Sequence, residues 1–168
     1  MTRAVFFDRD GVLNLDCGYL FEVDKFVWQT GAKEIIGWLN DNGWLVIVVT
    51  NQSGVARGYY TEEDVMKLHQ WMNEQLAVCG AHIDAFYHCP HLLAGKIRKY
   101  SIECDCRKPA PGMLLAAITD YGIDCSQSFM VGDKPGDLTA AKAAGVQGWL
   151  FEGGDLSLMV KDIVASLS

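Results

Sequence analysis

Residues 4–12 read Ala4-Val5-Phe6-Phe7-Asp8-Arg9-Asp10-Gly11-Val12, and this stretch decides the fold. Four apolar residues run without a break into an aspartate. A strand buried on both faces reads this way, as a short continuous apolar run ended by its first charge. The same signature returns twice. Residues 44–49 are apolar and β-rich and run into Thr50-Asn51; residues 129–131 run into Gly132-Asp133.

Helical spacing fills the intervals. Ile35, Ile36 and Leu39 mark a helix over 32–42 that Gly43 can end. Thr61 can cap a longer helix, with Glu62, Glu63 and Asp64 facing the dipole in its first turn. Its apolar face is Val65, Leu68, Met72, Leu76 and Cys79. A third strand is expected over 83–87, a helix opening at Pro111 with the face Leu114, Ala117, Ile118 and Tyr121, and a short helix bearing Leu138, Ala141 and Ala144. A last strand over 146–151 and a terminal helix over 156–167 complete the pattern. Strands alternating with helices imply an α/β fold of three layers, a mainly parallel central sheet with helices on both faces. Asp8, Thr50 and Asp133 then each fall just beyond the carboxyl end of a strand, the edge where open α/β sheets bind ligands.

The chain has 168 residues, which suits one domain over 1–168. Half of them are hydrophobic and 21% are charged, which excludes a disordered chain. A formal net charge of −7 disfavours nucleic acid and anionic membranes as partners, because phosphates require cations. No apolar run approaches the roughly 20 residues that span a bilayer, and residues 1–10 lack the core of a signal peptide. A cytoplasmic monomer acting on a small molecule is expected. In that compartment six cysteines do not make a disulfide framework.

Asp8 and Asp10 at a strand end can point into one site, and two like charges there need a cation. Magnesium suits hard oxygen ligands, and Asp133 offers a third oxygen from a neighbouring strand. On this triplet alone, two ordinary loop carboxylates are as good a reading. A second constellation lies in the long loop of about residues 89–108. Cys89-Pro90-His91 and Cys104-Asp105-Cys106 are two i, i+2 pairs, each able to grip one ion from an extended segment. Three thiolates and an imidazole form a closed tetrahedral set that suits structural zinc, with unrelated reduced cysteines as the bland reading.

The order Asp8-x-Asp10-Gly11-Val12, Thr50-Asn51, Lys108-Pro109, Gly132-Asp133-x-x-x-Asp137 resembles the haloacid dehalogenase (HAD) superfamily of phosphohydrolases. Finer motifs narrow the likeness. Asp16-Cys17-Gly18-Tyr19, Thr50-Asn51-Gln52-Ser53-Gly54-Val55-Ala56-Arg57-Gly58, Cys104-Asp105-Cys106-Arg107-Lys108-Pro109 and Val131-Gly132-Asp133-Lys134 resemble the capless heptose bisphosphate phosphatases, which share a framework with histidinol-phosphate phosphatases. The resemblance implies a Rossmann-like HAD fold. It also implies removal of the 7-phosphate of D-glycero-D-manno-heptose 1,7-bisphosphate, giving heptose 1-phosphate for nucleotide-activated heptose, as used in lipopolysaccharide core or S-layer glycan.

The same resemblance makes Asp8 the nucleophile, through an aspartyl phosphate, and Asp10 the general acid and base. Magnesium would be held by the Asp8 carboxylate, the Asp10 main-chain oxygen and Asp133. Thr50, the Asn51 main chain and Lys108 would bind the phosphoryl oxygens. Asp16, Cys17, Gly18, Tyr19, Asn51, Gln52, Ser53, Arg107 and Lys134 would shape the substrate site, and Cys89, His91, Cys104 and Cys106 would hold zinc. Asp137 either supports the metal or Lys134 or opens the following helix. Two rivals are a histidinol-phosphate phosphatase and, from another class, a zinc-stabilised binding module with vestigial carboxylates. The short spans between strands leave no room for a cap domain, so loops 16–26, 51–60 and 89–108 would have to cover the site.

Overall fold

A computed structural model describes residues 2–167. Five parallel strands form one sheet: β1 (Ala4–Phe7), β2 (Leu45–Asn51), β3 (Ala85–Cys89), β4 (Phe129–Gly132) and β5 (Gln147–Leu150). They lie in the spatial order β3-β2-β1-β4-β5, so β1 is central and the chain reverses direction across the sheet beside it. The helices are α1 (Ala32–Asp41), α2 (Glu62–Val78), α3 (Gly112–Tyr121), α4 (Pro135–Ala143) and α5 (Leu156–Ser166).

Period-2 alternation divides the core in two. Val5, Phe7, Val46 and Val48 point to one face and pack with Ile35, Ile36 and Leu39 of α1, Leu68, Met72 and Leu76 of α2, and Leu156, Val160 and Ile163 of α5. Ala4, Phe6, Ile47 and Val49 point to the other and pack with Met113, Leu114 and Ala117 of α3 and Ala140 and Ala141 of α4. The small residues of α4 bring it close to the sheet. This is the expected three-layer α/β architecture, and the links between strands are loops and single helices with no cap domain. Among the described residues no helix is long and apolar enough to cross a membrane.

Some boundaries differ from the sequence expectation. Strand β2 extends to Asn51, so Thr50 and Asn51 are its last residues rather than the start of a loop; they pair with His88 and Cys89. Strand β3 is displaced two residues toward the C-terminus of the expected range. The Asn73 amide takes both backbone groups of Ile83, donating to its carbonyl at 3.0 Å and accepting from its N–H at 2.7 Å, and so replaces sheet pairing there. Cys79 is exposed at the end of α2 rather than in the core, because the helix stops at Val78 and releases the next residue to solvent. Thr61 caps α2 as expected, in a reciprocal box with Asp64.

Candidate active site

The carboxyl ends of β1, β2 and β4 open into a cleft of about 550 Å³ lined by Asp8, Asp10, Asp16, Gly18, Tyr19, Asn51, Gln52, Ser53, Arg107, Lys108 and Lys134, together with Arg57, Tyr60, Gly136 and Asp137. Residues read from four separate motifs therefore meet in one place. Thr50 and Asp133 are adjacent, through Gln52 and Asp8 respectively. Cys17 is exposed in its loop and does not line the cleft.

Asp8 follows the last residue of β1, and its N–H donates to Val131 of β4 at 3.1 Å, which fixes the turn. Its carboxylate accepts from the Lys108 ammonium at 2.9 Å. That ammonium also donates to the Val49 carbonyl at 2.8 Å and pairs with Asp137 at 2.7 Å, so its three hydrogens are all engaged. Lys108 is itself clamped from β2. The Asn51 amide accepts from the Lys108 N–H at 2.9 Å and donates to the Lys108 carbonyl at 3.1 Å.

Burial pushes the Asp8 carboxyl up to about 7; Lys108 opposes the rise and Asp137 adds to it. Burial works against the Lys108 ammonium too, but Asp8 and Asp137 outweigh it and its pKa is raised. Asp137, the weakest of the residues read from sequence, thus serves several neighbours. One oxygen holds Lys108 and the other accepts the N–H groups of Asp133 and Lys134, both at 3.1 Å, at the start of α4.

Carboxylate oxygens of Asp8, Asp133 and Asp137 lie within 4.8 Å of one another. Those of Asp137 are taken, whereas Oδ1 of Asp133 is buried without any hydrogen-bond partner. A buried carboxylate oxygen left orphaned beside a second carboxylate fits a hard divalent cation. Gly11, at φ +90°, makes room for this arrangement, since a Cβ there would collide with the Asp133 carboxylate.

Asp10 faces a different set of donors. Arg9, fully buried, places Nε on Oδ1 and a terminal nitrogen on Oδ2, each at 3.1 Å. Asn14 donates to Oδ1 at 2.9 Å, and Gln52 donates to Oδ2 at 3.1 Å and to the Thr50 hydroxyl at 2.9 Å. Thr50 accepts there, so its own hydrogen remains free to donate. Arg9, Asn14 and Tyr60 were not singled out in the sequence. Arg9 stands between the two aspartates and reads as an ordinary surface cation; nothing local signals its burial.

The second constellation also assembles. Cys89 ends β3, and its Sγ lies 3.0 Å from that of Cys106, 3.6 Å from that of Cys104 and 3.5 Å from Nδ1 of His91. His91 Nδ1 lies 3.3 Å from the Cys106 sulfur. These spacings approach the edges of a tetrahedron with metal–sulfur bonds near 2.3 Å. Burial raises the Cys89 and Cys106 thiols, the second helped by its sulfur neighbours, whereas at Cys104 burial is outweighed by hydrogen bonds from the Arg107 and Cys106 backbone and the thiol is lowered; a bound cation would favour thiolates at all three. The loop behind it docks on the cleft wall: Lys96 and Ile97 both donate to the Ala56 carbonyl, at 2.7 and 2.9 Å.

The chain is similar to known proteins over most of its length. A HAD-hydrolase-like family model matches residues 105–158. The D-glycero-beta-D-manno-heptose-1,7-bisphosphate 7-phosphatase of Pasteurella multocida is 48% identical over 147 residues, 88% of this chain and 79% of that protein. The D-glycero-alpha-D-manno-heptose-1,7-bisphosphate 7-phosphatase of Burkholderia mallei is 49% identical over 145 residues, 86% of this chain and 77% of that one. The crystal structure of D,D-heptose 1,7-bisphosphate phosphatase from B. bronchiseptica, complexed with magnesium and phosphate, superposes with a TM-score of 0.85 at 30% identity, covering 98% of this chain and 99% of that one.

Proposed function

This chain belongs to the D-glycero-manno-heptose-1,7-bisphosphate 7-phosphatase family of HAD hydrolases, and from that premise we propose that it removes the 7-phosphate of the heptose bisphosphate by way of Asp8. The observation that supports this best is the buried Asp8–Lys108–Asp137 array beside the orphaned oxygen of Asp133. A non-catalytic module has no use for a desolvated carboxylate at a strand end.

In this reading an Asp8 oxygen attacks phosphorus while the bond from phosphorus to the sugar oxygen breaks. Asp10 gives its proton to that oxygen as it leaves. Water then attacks phosphorus, Asp10 takes its proton, and the aspartyl–phosphate bond breaks to release inorganic phosphate and Asp8. Lys108 trades its bond to Asp8 for a phosphoryl oxygen, and the free hydrogen of Thr50 binds a second. Asp8, the Asp10 main-chain oxygen and Asp133 would hold magnesium, which when bound offsets the repulsion between an anionic nucleophile and an anionic phosphate. Cys89, His91, Cys104 and Cys106 would hold a structural zinc.

The remote phosphate, at carbon 1, meets cations that the chemistry leaves unused. Arg107 and Lys134 line the cleft, and so does Arg57, stacked 5.5 Å from the centre of the Tyr19 ring. The protein acts as a single-domain monomer whose product feeds synthesis of nucleotide-activated heptose. The test is kcat/KM, with magnesium, on the α and β heptose bisphosphates, fructose 1,6-bisphosphate and histidinol phosphate. One heptose anomer should lead. A preference for histidinol phosphate would overturn the assignment.

A further inference from the structure

We infer that Gln52 and Tyr60 are positioning residues that hold the Asp10 carboxylate and the Thr50 hydroxyl, and that the Gln52 side chain makes no contact with substrate. This deepens the phosphatase reading above and rests on it. The reasoning is a count of hydrogen-bonding groups. The carboxamide of Gln52 has two N–H donors and one acceptor oxygen. One N–H goes to Asp10 Oδ2 at 3.1 Å, the other to Thr50 Oγ1 at 2.9 Å, and the oxygen accepts from the Tyr60 hydroxyl at 2.5 Å.

The orientation of this amide follows from its neighbours: Oδ2 of Asp10 already accepts from Arg9 and faces the Gln52 nitrogen, while the Tyr60 hydroxyl donates to the Gln52 oxygen. With 2% of its surface exposed, the Gln52 side chain has both N–H donors engaged and keeps only a second lone pair on the oxygen that Tyr60 covers, although it stands in the wall of the cleft. Tyr60 is held in turn. Its ring stacks on Phe21 with centroids 5.1 Å apart and lies against Gly54, where any Cβ would collide with it. Burial holds its hydroxyl up at about 12, so it remains a donor.

The other side of Asp10 is immobile. Arg9 is tied to the Leu20 carbonyl at 2.8 Å and to Nε2 of His69 at 3.2 Å. His69 must accept there, since a guanidinium cannot, so this histidine is neutral. Its ring stacks on Phe86 at 4.3 Å. Arg9 and Asn14 therefore form a rigid back wall, and Gln52 is the donor on the cleft side. Without it the carboxylate can rotate away from the leaving oxygen, and Thr50 loses the bond that turns its hydrogen toward the phosphoryl group.

The test compares Tyr60→Phe and Gln52→Met with wild type, as full-length protein loaded with magnesium and zinc. Tyr60→Phe keeps the ring and its stacking, so it decides the matter even if Gln52→Met folds poorly. Two substrates separate the roles: the heptose bisphosphate, whose sugar oxygen needs a proton to leave, and p-nitrophenyl phosphate, whose nitrophenolate does not. On the bisphosphate, kcat should fall roughly tenfold or more with KM within about twofold, as for loss of an aligned general acid. The single-turnover release of nitrophenolate, which uses Thr50 but needs no proton from Asp10, should fall less. A raised KM with kcat intact would make Gln52 a substrate contact and overturn the proposal. Equal losses on both substrates would show that proton delivery by Asp10 does not depend on the pair, and full activity would leave it without a role; either overturns the proposal. Wild-type protein inactive on both substrates would instead sink the phosphatase reading, and this inference with it.

Discussion

Asp8 is a carboxyl group that folding removes from water, and that has a measurable consequence before any ion binds. Its pKa is about 7 in the folded protein against an ordinary 3.8. Between those values the folded state holds the proton more tightly than the unfolded one, so stability falls as pH rises through the window and is flat above it. The gap is worth at most roughly 4 kcal/mol. Asp8→Asn removes the titration but leaves Lys108 paired with Asp137. In magnesium-free buffer the variant should therefore gain on wild type as pH rises from 5 to about 7, and no further above it, in urea unfolding at each pH. A stability difference independent of pH would refute this, and turnover should be lost at every pH. The asymmetry of what the sequence disclosed belongs to this scale. Asp8, Asp10 and Asp133 were legible because each is chemistry at or just past a strand end, and Lys108 because it stands in the Cys104–Pro109 motif. Arg9, Asn14 and Tyr60 were not, because their roles exist only as contacts with other loops, and a residue type alone does not say that it is buried.

At the scale of elements, the zinc-type cluster and the substrate loop form one mechanical unit. Cys89 is the last residue of β3, so the cluster is rooted in the sheet, a point the expected strand over 83–87 concealed. Its loop reaches residues 51–60 through the two N–H groups on Ala56. It reaches the first turn of α2 through Glu62, which accepts from Tyr100 at 2.8 Å and pairs with His88 at 2.7 Å. Gly95 approaches Ala56 so closely that a Cβ would sit 2.7 Å from its carbonyl oxygen. A metal that fixes residues 89–108 must therefore also steady Gln52–Gly58. In protein first loaded with zinc, a chelator should raise amide hydrogen exchange over 51–60 as well as over 89–108, while β1 and β4 stay protected. Exchange confined to 89–108 would show that the two loops are not coupled. Sequence spacing singled out the four candidate ligands, which the fold brings together, because i, i+2 pairs suit one ion, but it carried no trace of Ala56, whose part is played by a backbone carbonyl.

For the molecule as a whole, the absence of a cap makes charge placement carry the specificity. The chain bears a net charge of −7, yet its cleft gathers Arg57, Arg107, Lys108 and Lys134. Lys108 is fully engaged by Asp8, Asp137 and Val49, which leaves the other three for groups away from the reacting phosphorus. That cation surplus suits a substrate with a second phosphate and would be idle with a substrate that has one. The capless architecture was legible from the short spans between strands, and Arg107 and Lys134 from their motifs. Arg57 stands in the Thr50–Gly58 motif without an assigned part, because it enters the cleft only when residues 51–60 fold back and set it on Tyr19. Each guanidinium should recognise the remote phosphate by charge-assisted hydrogen bonds and contribute little to the chemical step. Arg107→Ala and Arg57→Ala should accordingly raise KM for the heptose bisphosphate by about tenfold, near the 1.4 kcal/mol of one such contact, with kcat within a few-fold. For a simple monophosphate ester the same variants should match wild type. If KM rises equally for both kinds of substrate, these arginines serve the reacting phosphate, and the second-phosphate pocket lies elsewhere in the cleft.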